Sequence, residues 1–343
     1  MGEDTRDEKS GGGIVQSIKQ GAHWDVAVSG WALAHGVPIP PSIVKRVRVG
    51  VGRLIDGGFA VGEAWLSNVH AKQVFDGERT RATVLAVSEA GTQRLIDSDQ
   101  NLPLAVARSY FNEHKLKFDN RANVAQAALD ELGRTSFAHQ DATEDDASIE
   151  LDWLNHFSEI AGQKSTPEMQ LLFGKILAGE IRKPGSFSPM SINVLANLTP
   201  VIAKKFEKLC SVSIKFETKC FVSIDMFPNF TNIGIPKLEF AYTDLLLLRQ
   251  YQLLAFEGGT KLDIPIGDRF TFTVGERMYG LEALAHSEEP MGSLRAFQVA
   301  SFSSVGNELR TLIQPNQPEW VDELISTTFT SPKWGLAKFP NSR

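Results

Sequence analysis

The sequence predicts a mainly α protein, in which a helical N-terminal region and a helical core are followed by a small C-terminal α+β unit. Three observations predict it. Apolar residues recur at helical spacing from Pro41 to about Leu132. Three hydroxyl–proline pairs, Thr166-Pro167, Ser188-Pro189 and Thr199-Pro200, then start helices in close succession. After Cys210 the period drops to two in "SVSIKFETKCFVSIDMF" and "DRFTFTVGERMYGL", which is strand spacing.

The 343 residues exceed one ordinary core, so several packed units are expected. Residues 1–20 read as a polar, disordered lead-in and 21–140 as the helical N-terminal region. Residues 141–210 form the capped helical core, 211–330 the α+β unit and 331–343 a tail.

Composition excludes several classes. The 42% hydrophobic and 22% charged fractions are those of a globular protein. A net charge of −6 argues against a surface that binds phosphate backbone throughout. No apolar run is long enough to span a bilayer, and the N-terminus lacks the pattern of a secretory signal. Arg6 stands where a myristoylation signal needs Ser or Thr. Cys210 and Cys220 have neither the number nor the spacing of a zinc site or a disulfide framework. The expected location is cytoplasmic, with no cofactor.

Element by element, "PPSIVKRVRVGVGRLIDGG" places Ile43, Val47, Val51, Leu54 and Ile55 along a helix that stops at Gly57-Gly58. The glycines at 50, 52, 57, 58 and 62 do not make a dinucleotide fingerprint, because Ile55 occupies a required glycine position and no strand precedes them. Helical spacing continues through Trp65, Leu66, Val69 and Val74, through Glu78 to Asp97, and through "NRANVAQAALDELG", which closes on Gly133. An acidic stretch, with Asp141, Glu144, Asp145, Asp146, Glu150 and Asp152, leads into a helix bearing Ile149, Trp153, Phe157 and Ile160 and ending at Gly162. Ser165 to Glu168 matches a capping box.

From Pro167, the residues Met169, Leu172, Phe173, Ile176, Leu177 and Ile181 form one apolar side. Gly174 and Ala178 offer a strip of small residues for a close helix neighbour. Lys183 precedes a proline and so ends the helix, and Pro184-Gly185 suits a type II turn. Beyond Cys210, Phe270, Phe272 and Val274 share one side of a strand, and "AFQVASFSS" is a further strand. "YTDLLLLRQYQLLAF" reads as a helix capped by Thr243. "SSVGNELRTLI" and "PEWVDELISTTF" read as closing helices, the second starting at Pro318. The order helix, strand, strand, helix suggests a winged-helix-like unit.

Candidate chemistry is sparse. Lys45, Arg46, Arg48 and Arg53 form a basic stretch that is either a nucleic-acid-binding surface or the solvated side of the first helix. "LLFGKILAGEIRKPGSFS" is not a phosphate-binding P-loop, because its lysine precedes the glycine and a helix precedes both. Glu180 falls near the apolar stripe and needs a partner, either Arg182, Lys183 or a backbone N–H. The expectation is a structural ion pair or hydrogen bond. Asp152, His156 and Glu159 lie on one helical side but lack the further ligands of a metal centre. No catalytic or metal-binding residue is assigned.

"DWLNHF", "EMQLLFGKILAGEIRKPGSFS" and "LANLTPVIAKKFEKLC" together resemble a bacterial domain family of unknown function. The matching positions are Asp152, Trp153, Phe157, Gln170, Phe173, Leu177, Ala178, Gly179, Glu180, Pro184, Gly185, Ser186, Phe187 and Ser188; Lys183 sits within the block. The chain departs at Phe173, where tryptophan is common, and at Met190-Ser191, where an Arg-Thr pair often follows. "FSSVGNEL" is similar to a T-x-x-G-x-E-L helix start of winged-helix-like endings. A more distant resemblance, to abortive-infection alpha proteins, implies a role in bacterial antiphage defence. The resemblance implies no established activity, and the block residues are expected to be structural.

The expected function is therefore that of a non-enzymatic protein-interaction or regulatory and assembly protein. Its partner would be another protein or further copies of itself. The alternative is nucleic-acid binding, through the basic stretch or the C-terminal unit, and an enzyme of unknown class comes third. A membrane surface, met through Trp24, Trp31 and Trp65, is the least favoured partner.

Overall fold

The computed structural model describes residues 39–56, 104–134, 147–217, 219–226, 239–255, 260–285, 290, 293–313, 319–329 and 333–339. The lead-in, the three tryptophans at 24, 31 and 65, the helical segments expected at Trp65 to Val74 and Glu78 to Asp97, and the acidic residues at 141–146 lie outside the described residues. Contacts divide the chain into two units, Met1–Pro189 and Met190–Arg343.

Among the described residues of the first unit, four helices surround an apolar core: α1 (Pro41–Asp56), α2 (Leu104–Gly133), α3 (Leu151–Gly162) and α4 (Pro167–Arg182). The periodicities read from the sequence are the packed faces. Ile43, Val47, Val51 and Leu54 of α1 are buried, as are Phe173, Ile176, Leu177 and Ile181 of α4 and Trp153 and Phe157 of α3. The α2–α4 crossing is very close, because a Cβ on Gly174 would lie 2.5 Å from the Ala127 Cβ and 2.8 Å from its backbone. Small residues on both helices permit that approach. α2 ends at Gly133, as its sequence predicts.

Proline fixes where the next helices begin. Pro167, Pro189 and Pro200 open α4, α5 (Pro189–Asn197) and α6 (Pro200–Ser211). Their missing N–H would have had no intrahelical partner there. The hydroxyls act less uniformly than the sequence pattern suggests. Thr199 Oγ1 accepts from the Ile202 N–H at 3.4 Å, whereas Thr166 heads α4 with no side-chain cap, so no Ser165–Glu168 capping box forms.

The second unit overturns the expected winged-helix-like domain. Among its described residues is an eight-stranded antiparallel sheet: β1 (Ile214–Phe216), β2 (Lys219–Ser223), β3 (Leu254–Ala255), β4 (Lys261–Pro265), β5 (Arg269–Val274), β6 (Arg277–Ala283), β7 (Leu294–Phe302) and β8 (Trp334–Lys338). The order is β3-β7-β2-β1-β5-β6-β8, with β4 also paired to β7. Strands β1, β2, β5, β6 and β7 are those legible in the sequence, the first four as local hairpins β1–β2 and β5–β6. What enlarges them into a sheet is pairing between distant segments, Ile214↔Val274 and Phe221↔Ser301. A two-stranded wing would leave Phe272, Tyr279 and Leu281 without cover, and all three are buried here.

Around the sheet lie α5, α6, α7 (Tyr242–Gln250), α8 (Ser304–Arg310) and α9 (Trp320–Thr328). Phe272 stacks on Tyr279 at 5.3 Å and meets Phe329 at 6.0 Å, while Phe206 of α6 meets Phe302 of β7 edge-on at 5.9 Å. Ala241, not Thr243, caps α7, and its N–H donates to Asp244 Oδ2 at 2.8 Å. The helix start in "FSSVGNEL" is present as α8, where Ser303 Oγ accepts from the Gly306 N–H at 2.9 Å. It follows the long strand β7 rather than a wing. Among the described residues no helix is long and apolar enough to cross a membrane.

Candidate functional site

The L-A-G-E…P-G-S-F-S block begins at the end of α4. Lys183, held extended by the following proline, leaves the helix at φ −140°. Its carbonyl accepts from the Ser186 N–H at 3.2 Å and from the Ser186 hydroxyl at 2.6 Å. Gly185 has φ +81°, the value a type II turn requires after Pro184 and one that side chains disfavour.

This turn aims two backbone N–H groups back at the helix. Glu180 Oε1 accepts from Gly185 N at 2.5 Å, and Oε2 from Phe187 N at 3.1 Å. Glu180 is only 2% exposed, so these charge-assisted bonds offset the loss of water around its carboxylate. Backbone supplies two of its donors.

The rest of the motif closes around the turn. The Phe187 ring lies over Gly179, where a Cβ would stand 2.6 Å from the ring. The Phe187 carbonyl accepts from Trp153 Nε1 at 2.7 Å. Trp153 stacks on Phe157 at 4.9 Å, and Phe157 meets Phe173 at 5.5 Å. Gln170 Nε2 donates to the Lys164 carbonyl at 2.9 Å and to Asn120 Oδ1 at 3.2 Å, while Asn120 Nδ2 donates to the Gly162 carbonyl at 2.8 Å. Asp152 and Lys183 are exposed, and Pro184, Ser186 and Ser188 half-buried. Trp153, Phe157, Phe173, Gly179, Glu180, Gly185 and Phe187 form one connected clamp between α3, α4 and the turn, while Gln170 ties α4 to α2 through Asn120.

The basic stretch of α1 does not form a single surface. Arg46 is 7% exposed. Its Nε donates to the Ala147 carbonyl at 2.9 Å, and one Nη to the carbonyls of Ile181 at 3.3 Å and Arg182 at 3.1 Å. A cation at the last carbonyls of α4 meets the negative end of that helix. Lys45 is exposed and Arg48 half-buried. Arg53 turns the other way, and its guanidinium donates through two nitrogens to Asn155 Oδ1.

Beside that pair opens a small cleft of about 210 Å³, lined by Arg53, Lys117, Arg121, Asn155, Ser158, Glu159 and Gly162. Helices α1, α2 and α3 each contribute. Arg121 Nε donates to the Lys117 carbonyl at 3.1 Å, which fixes the guanidinium, and burial lowers its pKa. Lys117 forms an exposed i, i+4 pair with Glu113 at 2.6 Å. Sequence reasoning singled out Arg53 but missed Lys117, Arg121, Asn155 and Ser158. The only local signal was the i, i+4 spacing of Lys117 and Arg121 on one side of α2; their meeting with Arg53 depends on how three helices cross.

Elsewhere the chemistry is quiet. Asp152 and Glu159 are exposed, and among the described residues no three His, Cys, Asp or Glu side chains gather as metal ligands. Cys210 and Cys220 are buried free thiols, and burial pushes Cys210 up to about 12, the nearby Arg310 charge opposing. In the second unit Asp322 joins three elements. It accepts from Tyr279 Oη at 2.5 Å and from Lys338 Nζ at 2.6 Å, with Arg277 at 3.4 Å.

No curated protein and no solved structure matches the sequence. Residues 113–325, which take in the clamp, the cleft residues of α2 and α3 and most of the sheet, match the family described as "Protein of unknown function (DUF2806)". With well over half of its length covered by that match, the chain belongs to the DUF2806 family.

Proposed function

We propose that the protein is a non-enzymatic interaction protein, one that regulates or assembles with a protein partner or with further copies of itself. The observation that supports this reading is the inward use of the family block. Glu180, its one buried carboxylate, accepts from the Gly185 and Phe187 N–H groups, and Trp153 and Gln170 donate to backbone carbonyls of the same unit. Residues of this kind maintain a scaffold, and a scaffold that carries no reaction of its own acts through what it binds. The resemblance to abortive-infection alpha proteins supports placing that binding in bacterial antiphage defence.

Native mass spectrometry of the purified full chain tests the assembly. A defined oligomer, or a stoichiometric complex with one protein, is the expected result. A monomer across micromolar concentrations, with no protein bound, counts against it. The defence role is tested by phage plating on cells with and without the gene, where equal plating efficiency on both would dismiss it.

Nucleic-acid binding remains the second reading, favoured by the gathering of Arg53, Lys117 and Arg121 around one cleft. Arg46, which is buried against the end of α4, contributes nothing to it. Binding of this kind weakens steeply with salt, so an affinity for DNA or RNA that ignores ionic strength rejects it.

A further inference from the structure

The cleft between α1, α2 and α3 presents mostly donors. Lys117 contributes an ammonium and Arg121 a guanidinium fork whose Nε is already used on the Lys117 carbonyl. Among the described residues no carboxylate pairs with Arg121. Asn155 gives its carbonyl oxygen to Arg53, so its amide nitrogen is the atom left for the cleft. Ser158 adds a hydroxyl from the same helix, one turn on from Asn155. Half-burying a guanidinium opposite no anion is unfavourable, because lost hydration is not replaced. Lys117 pairs with Glu113 at the surface, where solvent screens the attraction, so it can turn to a ligand at little cost.

Fork, ammonium, amide and hydroxyl donors converging from α2 and α3 match a group with several anionic oxygens. The volume, about 210 Å³, is several times that of a water but below that of a drug-sized pocket. It suits one phosphate group and a small body attached to it. One lining residue opposes a bare anion. Glu159 brings a carboxylate to the wall, and among the described residues it has no cation of its own. Beside a donor set, an acceptor of this kind is suited to a ligand hydroxyl.

We propose that this cleft binds a small phosphomonoester that also carries hydroxyl groups, with Arg121, Lys117, Asn155 and Ser158 on the phosphate and Glu159 accepting from a hydroxyl. The ligand class is that of sugar phosphates and mononucleotides, which share this chemistry. The site does not depend on the assembly reading, since its residues lie within the first unit.

Isothermal titration of the full chain tests it, with inorganic phosphate, ribose, ribose 5-phosphate, adenosine 5′-monophosphate and a single-stranded DNA 12-mer without a terminal phosphate. Ribose 5-phosphate is expected to bind more tightly than phosphate, and ribose not at all. A further gain with the nucleotide assigns the site to mononucleotides; no gain assigns it to sugar phosphates. R121Q should weaken ribose 5-phosphate at least tenfold, as should K117Q with an unchanged urea unfolding midpoint, while R249Q in the second unit should change nothing. E159Q should tighten inorganic phosphate and narrow the preference for ribose 5-phosphate over it. Absence of phosphomonoester binding, full affinity in K117Q and R121Q, or tighter binding of the 12-mer than of ribose 5-phosphate each overturns the proposal.

Discussion

Glu180 shows how a carboxylate can be buried without a catalytic purpose. Its two oxygens accept the Gly185 and Phe187 N–H groups, so truncation to alanine removes both bonds and leaves the buried Phe187 donor unsatisfied. We expect Glu180→Ala to cost about 2–4 kcal/mol in a urea titration, and Glu180→Gln, which keeps one acceptor, distinctly less. A midpoint shift in Glu180→Ala no larger than that of an exposed substitution would remove the clamp from this account. Gly185 at φ +81° is a second such point, and Gly185→Ala should destabilise by about 1–2 kcal/mol. Arg46 teaches the opposite lesson about the sequence. It lies at the helical spacing that links Ile43 to Val47 and Gly50, inside the apolar face, so its burial was signalled. The neighbouring Lys45 and Arg48 obscured that signal by making a basic run. For Glu180 a backbone N–H was among the partners the sequence suggested, but which N–H groups serve was not signalled, because they reach it only once the turn has formed.

At the scale of elements, helices were legible and sheet edges were not. Helix starts are local events, and proline at the first position marks α4, α5 and α6 in any context. β3 has two residues hidden at the end of a helix-like apolar run, β4 ends on Pro265, and β8 falls in what reads as a tail. Each becomes a strand only because a partner is available, with β7 beside β3 and β4, and β6 beside β8. Asp322 links α9 to β6 and β8. Burial pushes its carboxyl up, but hydrogen bonds from Lys338 and Tyr279 and the charge of Arg277 outweigh this and hold it below its usual range. A carboxyl depressed on folding stabilises above its unfolded pKa of about 3.9 and loses that contribution as pH falls through the folded value. Asp322→Asn should therefore be less stable than wild type at pH 7, with the gap closing below about pH 4. A gap independent of pH would show that the charge on Asp322 is unimportant.

At the scale of the molecule, the family match and the folded unit have different edges. The match begins at residue 113, inside α2, and leaves out α1. Yet Ile43, Val47, Val51 and Leu54 are buried, and Arg46 donates to the last carbonyls of α4. A chain truncated at Glu113 should therefore lose cooperative unfolding of its helical unit in circular dichroism. A sharp transition at the wild-type temperature would mean that α1 is dispensable.

The placement of β7 has a consequence for synthesis. Its residues 294–302 are the shared partner of β2, β3 and β4, so none of these three can pair with it until nearly the whole chain has been made. Helices α1 to α4 lie upstream of residue 190 and can fold as they emerge from the ribosome. The second unit must instead wait with open strand edges, and so the interval just before β7 emerges is when a nascent chain of this protein most needs a chaperone.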